Sequence, residues 1–344
     1  MLPRDRVCAA LDFKAPDVAP LEYHPSPAGV YEHGEKLRGL WERFPGDFGD
    51  AAEFPPASPP AGCVDPEGRY CELRRDEWGV VWKHLIFGVA GHPLQRPLDD
   101  WSNLESFHPP AVPPSSGPEF ERERARAAAH MARWFLKSGW ISIFEVMHAV
   151  RRFEDVLMDI ASGTPEIHRL ADLITEHQLA VVHYLLRRGV DAVQFGDDFG
   201  ARAAPLISPR VWRRFFRPRY ELLMRPIREA GKRIFFHTCG YCRPLLDELA
   251  ELGIDALWPQ LNAYHEPELA RFCRDARIAL ALHPDRGELM TRSKPDDVRA
   301  AVRRLASTFR VSEGGAWFYV EIDAGFPFEN VQALIESIGA MRRQ

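Results

Sequence analysis

Gly231-Lys232-Arg233-Ile234-Phe235-Phe236-His237-Thr238-Cys239-Gly240 holds one full repeat of the pattern that decides the fold. A glycine ends an amphipathic segment, a short apolar run follows, and the run gives way to polar residues before a second glycine. Upstream, Ser208-Pro209 sets a capping hydroxyl before a proline at the first helical position, so the spacing predicts a helix over 208–230. Gly231 then stands where the helix yields to a strand, a place that favours a residue tolerant of left-handed backbone, and Gly189 and Gly253 occupy equivalent places.

Working outward, apolar runs of strand length recur at 140–144, 191–195, 256–258, 278–282 and 317–320, besides 233–236. Each is followed by a polar or Gly/Pro-containing loop and a helix-like stretch, and Thr164-Pro165 and Lys294-Pro295 mark further helix starts. This alternation predicts βα units on a parallel sheet. The N-terminal part is less regular. It predicts a helix over 4–11, a first strand over 18–23, a proline-rich excursion at 55–60, a hairpin over 78–85 and a loop over 109–118. The expectation is an α/β protein, a (β/α)8 TIM barrel in one domain over 1–344, with 55–118 an insertion covering the barrel mouth. Seven strands are counted, and the eighth is expected in the irregular N-terminal part.

Composition narrows the function classes. The 344 residues, 46% of them hydrophobic, suit one large barrel domain. A formal net charge of -5 and an isoelectric point near 6.2 leave no global basic field, which sets nucleic acid aside as a partner. No apolar stretch approaches the roughly 20 residues needed to span a bilayer. The start, Met1-Leu2-Pro3-Arg4-Asp5-Arg6, lacks the apolar segment of a signal peptide, so the expectation is a cytoplasmic protein without a membrane partner. Six scattered cysteines read as reduced thiols, some of them candidates for metal binding.

In a parallel barrel the reacting groups sit at the C-terminal ends of strands. Those positions give Glu145, then Asp197 and Asp198, then His237 with Cys239, Gln260 and Asn262, His283 with Asp285, and Glu321 with Asp323. Residues two apart in extended backbone project to one side, so His237 and Cys239 can meet one ion, and zinc accepts imidazole and thiolate together. The bland reading keeps His237 as a hydrogen-bonding core histidine and the cysteines as small fillers. Glycines flank Asp197-Asp198 and let the backbone turn tightly, with one carboxylate facing the pocket and the other capping the loop or pairing with Arg202. Asp197, Asp198, Glu145 and His283 are the candidate catalytic groups. Gln260, Asn262, Asp285 and Trp78 are the candidate substrate contacts, Trp78 with Trp82, Phe87 and Trp101 as an apolar wall or as simple packing. His24 and His148 are weaker candidates. No phosphate loop, nucleophile elbow or dinucleotide fingerprint is present.

The order and spacing of several short motifs resemble the uroporphyrinogen decarboxylase superfamily over nearly the whole length. They are Arg6-Val7 to Pro16-Asp17-Val18-Ala19-Pro20, Asp76-Glu77-Trp78-Gly79, Pro97-Leu98-Asp99-Asp100-Trp101, Gly196-Asp197-Asp198, Ser208-Pro209 to Pro218, His237-Thr238-Cys239-Gly240 and Pro327-Phe328-Glu329-Asn330-Val331. The resemblance implies a (β/α)8 barrel. Its true decarboxylases carry an Arg-Gln-Ala-Gly-Arg-Tyr segment after the first strand and a Gly-His-Gly after the last. Here those stretches read Leu21-Glu22-Tyr23-His24 and Ile322-Asp323-Ala324-Gly325, which argues against porphyrinogen decarboxylation. The methyltransferase branch holds zinc with a His-x-Cys pair and a later cysteine, and takes methyl from a corrinoid. His237 and Cys239 match the pair, but no cysteine follows Cys273. Glu321, Asp323 or Cys242 then has to supply the third ligand. The leading expectation is zinc-dependent methyl transfer from a corrinoid, carried on a partner protein, to a thiol or related acceptor. Cofactor-free decarboxylation with Asp198 stabilising a protonated pyrrole-like intermediate, and a non-catalytic binding barrel, are the alternatives.

Overall fold

The structure, a computed structural model, describes residues 1–342. Seven parallel strands form one curled sheet: β1 Leu21–His24, β5 Lys137–Ile141, β6 Ala192–Gly196, β7 Arg233–Thr238, β8 Ala256–Pro259, β9 Ala279–Leu282 and β10 Ala316–Glu321. Their order is β1-β10-β9-β8-β7-β6-β5, so chain neighbours are sheet neighbours from β5 onward, and the last strand returns to the first. A helix follows nearly every strand, as the alternation requires. The remaining strands, β2 Glu72–Arg75, β3 Val81–His84 and β4 His92–Gln95, make a separate antiparallel sheet.

The period of two sorts the side chains of the large sheet into two cores. Ala192, Phe235, Ala256, Ala279, Ala281, Trp317 and Tyr319 meet on one face, where small residues on β8 and β9 make room for the rings of β7 and β10. Val193, Phe195, Ile234, Phe236, Leu257, Leu280 and Phe318 lie on the other face, within the large cluster under the helices. The first helix, Pro3–Leu11, adds Val7 and Leu11 to the inner core. Arg4 grips Asp191, the residue before β6, at 2.7 Å, so this helix sits at the N-terminal ends of the strands and leaves the C-terminal ends open.

The expected eighth strand is absent among the described residues. The edges β1 and β5 are bridged by one residue, Asp47, whose N–H donates to the Leu21 carbonyl at 2.8 Å and whose carbonyl accepts from Phe135 N–H at 3.1 Å. Its carboxylate is fully buried and takes the Leu21 N–H at 2.8 Å, together with Arg6 and Arg342. A single bridging residue leaves no apolar run to read, which is why the sequence shows seven strands.

Other boundaries shift for identifiable reasons. The strand expected over 140–144 ends at Ile141, and a helix, Phe144–Val150, begins where it should have finished. The Asp197 carboxylate accepts the N–H groups of Ile143 and Glu145 at 2.8 and 2.7 Å and so caps that helix from another strand. Such a tertiary cap has no local sequence signature. The helix expected over 208–230 is two helices, Pro209–Phe215 and Arg217–Glu229. Pro218 cannot donate back to Arg214, which interrupts the ladder at Phe216. The hairpin expected over 78–85 is the β2–β3 pair, with Trp78 in its turn, and β4 adds a third strand. This sheet packs beside the helices: Leu98 N–H donates to the Val150 carbonyl, and Trp78 lies against Phe107 and His177.

Candidate functional site

Asp198, His237 and Cys239 bring one ligand atom each to within 4.8 Å of one another. His237 and Cys239 come from the end of β7, where the two-residue period places both on the inner face. Asp198 follows β6, the neighbouring strand, whose Gly196 pairs with His237. Gly200 and Gly240 let the two loops meet: a Cβ on Gly200 would stand 2.4 Å from the Gly240 carbonyl carbon, and Gly240 itself has φ of +71°. Larger residues at either position would push the loops, and with them Asp198 and Cys239, apart.

The geometry suits a cation. Cys239 Sγ lies 3.3 Å from His237 Nε2, and Asp198 Oδ1 lies 3.5 Å from the same nitrogen. Zinc–nitrogen and zinc–sulfur bond lengths place neighbouring ligands of a tetrahedral ion roughly 3.5 Å apart. His237 Nδ1 is held by the Trp258 carbonyl at 2.9 Å, which fixes its proton there and leaves the Nε2 lone pair toward the cluster. Burial holds this imidazole below its usual range, against the pull of Asp198, so it is neutral as a ligand must be. Burial also pushes the Cys239 thiol up, and the adjacent Asp198 charge pushes it further. A nearby cation would reverse both effects on the thiol. The Asp198 carboxylate is oriented by the Cys239 N–H at 2.7 Å, and its own N–H reaches Glu145 Oε1 at 3.3 Å. If these three side chains held a tetrahedral ion, one position would remain for another ligand.

The third member is therefore Asp198, foreseen as catalytic, in place of the Glu321 or Asp323 expected from the sequence. Arg286 holds both of those carboxylates at 3.0 Å each. Burial pushes the Glu321 carboxyl up to about 7, opposed by Arg286. Cys242 does not join the cluster either; its buried thiol lies 3.3 Å from the Thr238 hydroxyl.

Around the cluster, a cavity of about 350 Å³ is lined by His237, Cys239, Trp258, Gln260, Asn262, His283, Asp285 and Arg286, among others. It thus gathers Gln260, Asn262, His283 and Asp285, all foreseen from strand ends. Gln260 Oε1 accepts the Gly240 N–H at 2.9 Å, and Asn262 donates to Asp285 at 2.9 Å, so both brace the rim. His283 accepts the Trp258 indole N–H at 3.2 Å on Nδ1 and so carries its own proton on Nε2. Burial keeps it neutral. Glu145 pairs with His148 at 3.1 Å; burial raises its carboxyl, but the His148 hydrogen bond and charge outweigh this and hold it below the ordinary value.

Three foreseen residues lie elsewhere. Asp197 is fully buried beneath the site and is spent on Ile143, Glu145 and the Tyr220 hydroxyl. Burial drives its carboxyl up to about 7 against those three donors, and it positions Asp198 and Glu145 rather than facing the cavity. Trp78 lines neither this cavity nor its neighbour, and Arg202 is exposed. The sequence reading missed Arg286, Trp140 and Trp258. Trp258 occupies an inward register position beside His237 and was legible by alternation alone.

Among solved structures, a methyltransferase from Methanosarcina mazei is 16% identical, with a TM-score of 0.63 over 99% of each chain. At that identity the likeness shows the fold. A B12-independent methionine synthase from Shewanella sp. W3-18-1 is 11% identical, with a TM-score of 0.46 over 92% of this chain and 87% of that one. No curated protein matches the chain. The sequence model of the family described as Uroporphyrinogen decarboxylase (URO-D) matches residues 133–341, from just before β5 to the last helix and across the whole cluster. With well over half of its length matched, the chain belongs to the uroporphyrinogen decarboxylase family.

Proposed function

We propose that the chain is a zinc-dependent methyltransferase that moves a methyl group from a corrinoid, carried on a partner protein, to the sulfur of a small thiol. The observation that carries this reading is the convergence of Asp198, His237 and Cys239 within 4.8 Å at the edge of a cavity, with the His237 Nε2 lone pair turned toward the other two ligand atoms. When bound there, zinc supplies a Lewis acid that lowers the pKa of the acceptor thiol.

The chain's own groups then have separate tasks. Asp198, His237 and Cys239 hold the ion. Glu145, kept ionised by His148, accepts hydrogen from Asp198 N–H and is the carboxylate suited to take the thiol proton. Arg286, partly exposed in the cavity wall and fixed in place by Glu321 and Asp323, has further N–H groups to donate to a polar group on the acceptor. Trp258 and His283 form an aromatic wall beside His237.

The test combines elemental analysis with turnover. The purified protein, dialysed against zinc, should retain about one zinc per chain. With methylcobalamin and 2-mercaptoethanol it should then form the methyl thioether, and Asp198→Ala should lose both metal and activity. A wild-type protein that stays metal-free overturns the reading.

A further inference from the structure

A second cavity, of about 580 Å³, is lined by residues of β1, β5, β6, β8 and β10 with Phe48 and Phe135, and Trp258 lies in its wall as well as in that of the first. Of its walls, the chemistry described above uses only Trp258 and Glu321. Trp140 is its most open ring, with half of the residue exposed. That ring is nevertheless held in one place. It follows a register shift in β5, at Gly139 with φ of +86°, and lies across Gly196 of β6, where an added Cβ would stand 2.3 Å from Trp140 Cζ2.

The Trp140 ring packs 5.6 Å from His237 and 6.2 Å from Trp258, whose plane is turned 75° from its own. Trp258 is fixed in turn, by its indole N–H on His283 and by the Tyr319 ring at 4.3 Å. Two indoles at nearly a right angle, one of them open to the cavity, make a corner of electron-rich faces. A cation set against such faces is attracted by the ring quadrupoles, most strongly by tryptophan.

The charges agree with the rings. Glu22 pairs with Lys137, and Arg286 is shared between Glu321 and Asp323, so three carboxylates in and behind the wall meet two cations and one negative charge is left over. Burial holds His24, 3.9 Å from Glu321, below its usual range, so it adds no charge at about pH 8. The metal cluster does not cancel the surplus either. Zinc with Asp198 and a Cys239 thiolate would sum to zero, and without the ion Asp198 is a further negative charge. A cation is therefore the electrostatic complement of this cavity. Of the carboxylates in its wall, Glu321 is the more open, its side chain 15% exposed against 7% for Glu22.

The form of the cation follows from the acceptors. Glu22 spends one oxygen on Lys137 and the other on the Trp317 indole N–H, Ser138 Oγ accepts from Arg188, the Tyr23 hydroxyl lies on the Phe44 carbonyl, and Gln194 Oε1 is buried out of reach. A primary ammonium needs acceptors for three N–H groups, whereas a quaternary ammonium needs none. We propose that this cavity binds a quaternary ammonium ion, its methyl groups against the faces of Trp140 and Trp258 and its charge balanced by Glu321. A head so placed lies one side chain from His237, the position of a second small molecule rather than of a metal ligand. The proposal does not rest on the zinc reading.

Calorimetric titration with choline tests it, at about pH 8 so that Glu321, which burial raises to about 7, is ionised. The comparisons are 3,3-dimethylbutan-1-ol, the uncharged isostere of choline, and ethanolamine, its primary ammonium counterpart. Choline should bind the wild type, and both comparison compounds should bind about 10-fold or more weakly. Trp140→Leu should weaken choline about 5-fold or more and affect the uncharged alcohol less. Glu321→Gln should weaken choline and leave the alcohol unchanged. Choline should still bind Asp198→Ala, which separates this result from any failure of zinc binding. Equal affinity of choline and the alcohol, ethanolamine as tight as choline, choline affinity unchanged in Trp140→Leu or in Glu321→Gln, or no binding of choline overturns the proposal. The wild-type comparison decides the matter even if a variant does not fold.

Discussion

Asp198 Oδ1 receives the backbone N–H of Cys239 at 2.7 Å, so the carboxylate that completes the cluster is oriented by the residue that supplies its sulfur. Loss of Asp198 therefore removes a ligand and frees the β7 loop together. Asp198→Ala, His237→Ala and Cys239→Ala should each weaken zinc by more than the about 10–100-fold usual for groups outside the ligand set. Glu321→Ala and Asp323→Ala should leave zinc affinity within about 3-fold, because their carboxylates are committed to Arg286. Competition against a chromogenic chelator measures all five. A large loss in either acidic variant would return the third-ligand role to the end of β10.

Asp197 joins three donors, and its removal is expected to act on folding. Asp197→Ala strands the N–H groups of Ile143 and Glu145 and the Tyr220 hydroxyl in a fully buried place. The expected loss is about 3–5 kcal/mol in urea unfolding. Asp197→Asn, which keeps one acceptor oxygen, should lose less. Equal stability of Asp197→Ala and the wild type would show that the helix Phe144–Val150 needs no cap from β6.

Much of this was legible in the chain, for physical reasons that differ by residue. Strands β6 to β10 carry their own evidence, a short apolar run with glycine or polar ends, and the period of two by itself puts His237 and Cys239 on one face. Gly231 does adopt the left-handed backbone its position requires, at φ of +66°. What the sequence could not show is anything made by residues far apart. Asp197 caps a helix 52 residues away, and Arg286 removes Glu321 and Asp323 from the cluster by pairing with them. Strand ends supply more acids than one ion can use, and choosing among them takes the loop geometry. The Glu22–Lys137 pair was invisible for a similar reason, since each partner alone reads as one charged residue beside an apolar run.

Glu321 should make stability depend on pH in a direction its surroundings fix. Burial raises its folded-state carboxyl from the ordinary 4.5 to about 7. A group raised on folding contributes stability that is full below its unfolded value and is lost as pH rises through the folded one. Ionised Glu321 therefore costs stability above about pH 7, on the order of 2 kcal/mol. Glu321→Gln should raise Tm relative to the wild type at about pH 8 and change it little at about pH 5. Asp323 still holds Arg286 in the variant. A greater gain at the lower pH would mean that the attraction of Arg286 outweighs burial.

Asp47 tests the closure of the sheet. Its backbone joins β1 to the residues before β5, and its buried carboxylate neutralises Arg6 and Arg342, whose side chains are only 12% and 11% exposed. Asp47→Ala leaves both arginines short of a buried partner and frees the Leu21 N–H, whereas Asp47→Asn keeps an acceptor for Leu21 and loses only the charge. Breaking a buried ion pair by removing one partner costs about 3–5 kcal/mol. Asp47→Ala should fall in that range, and Asp47→Asn should lie between it and the wild type. If Asp47 does the work of the missing strand, the damage should also be local. Amide hydrogen exchange at Leu21 and Phe135 should quicken in Asp47→Ala by more than at β7 and β8, on the far side of the sheet. Uniform quickening would mean that Asp47 only adds to global stability, and protection unchanged at Leu21 and Phe135 would mean that the two edges are held together by something other than this residue.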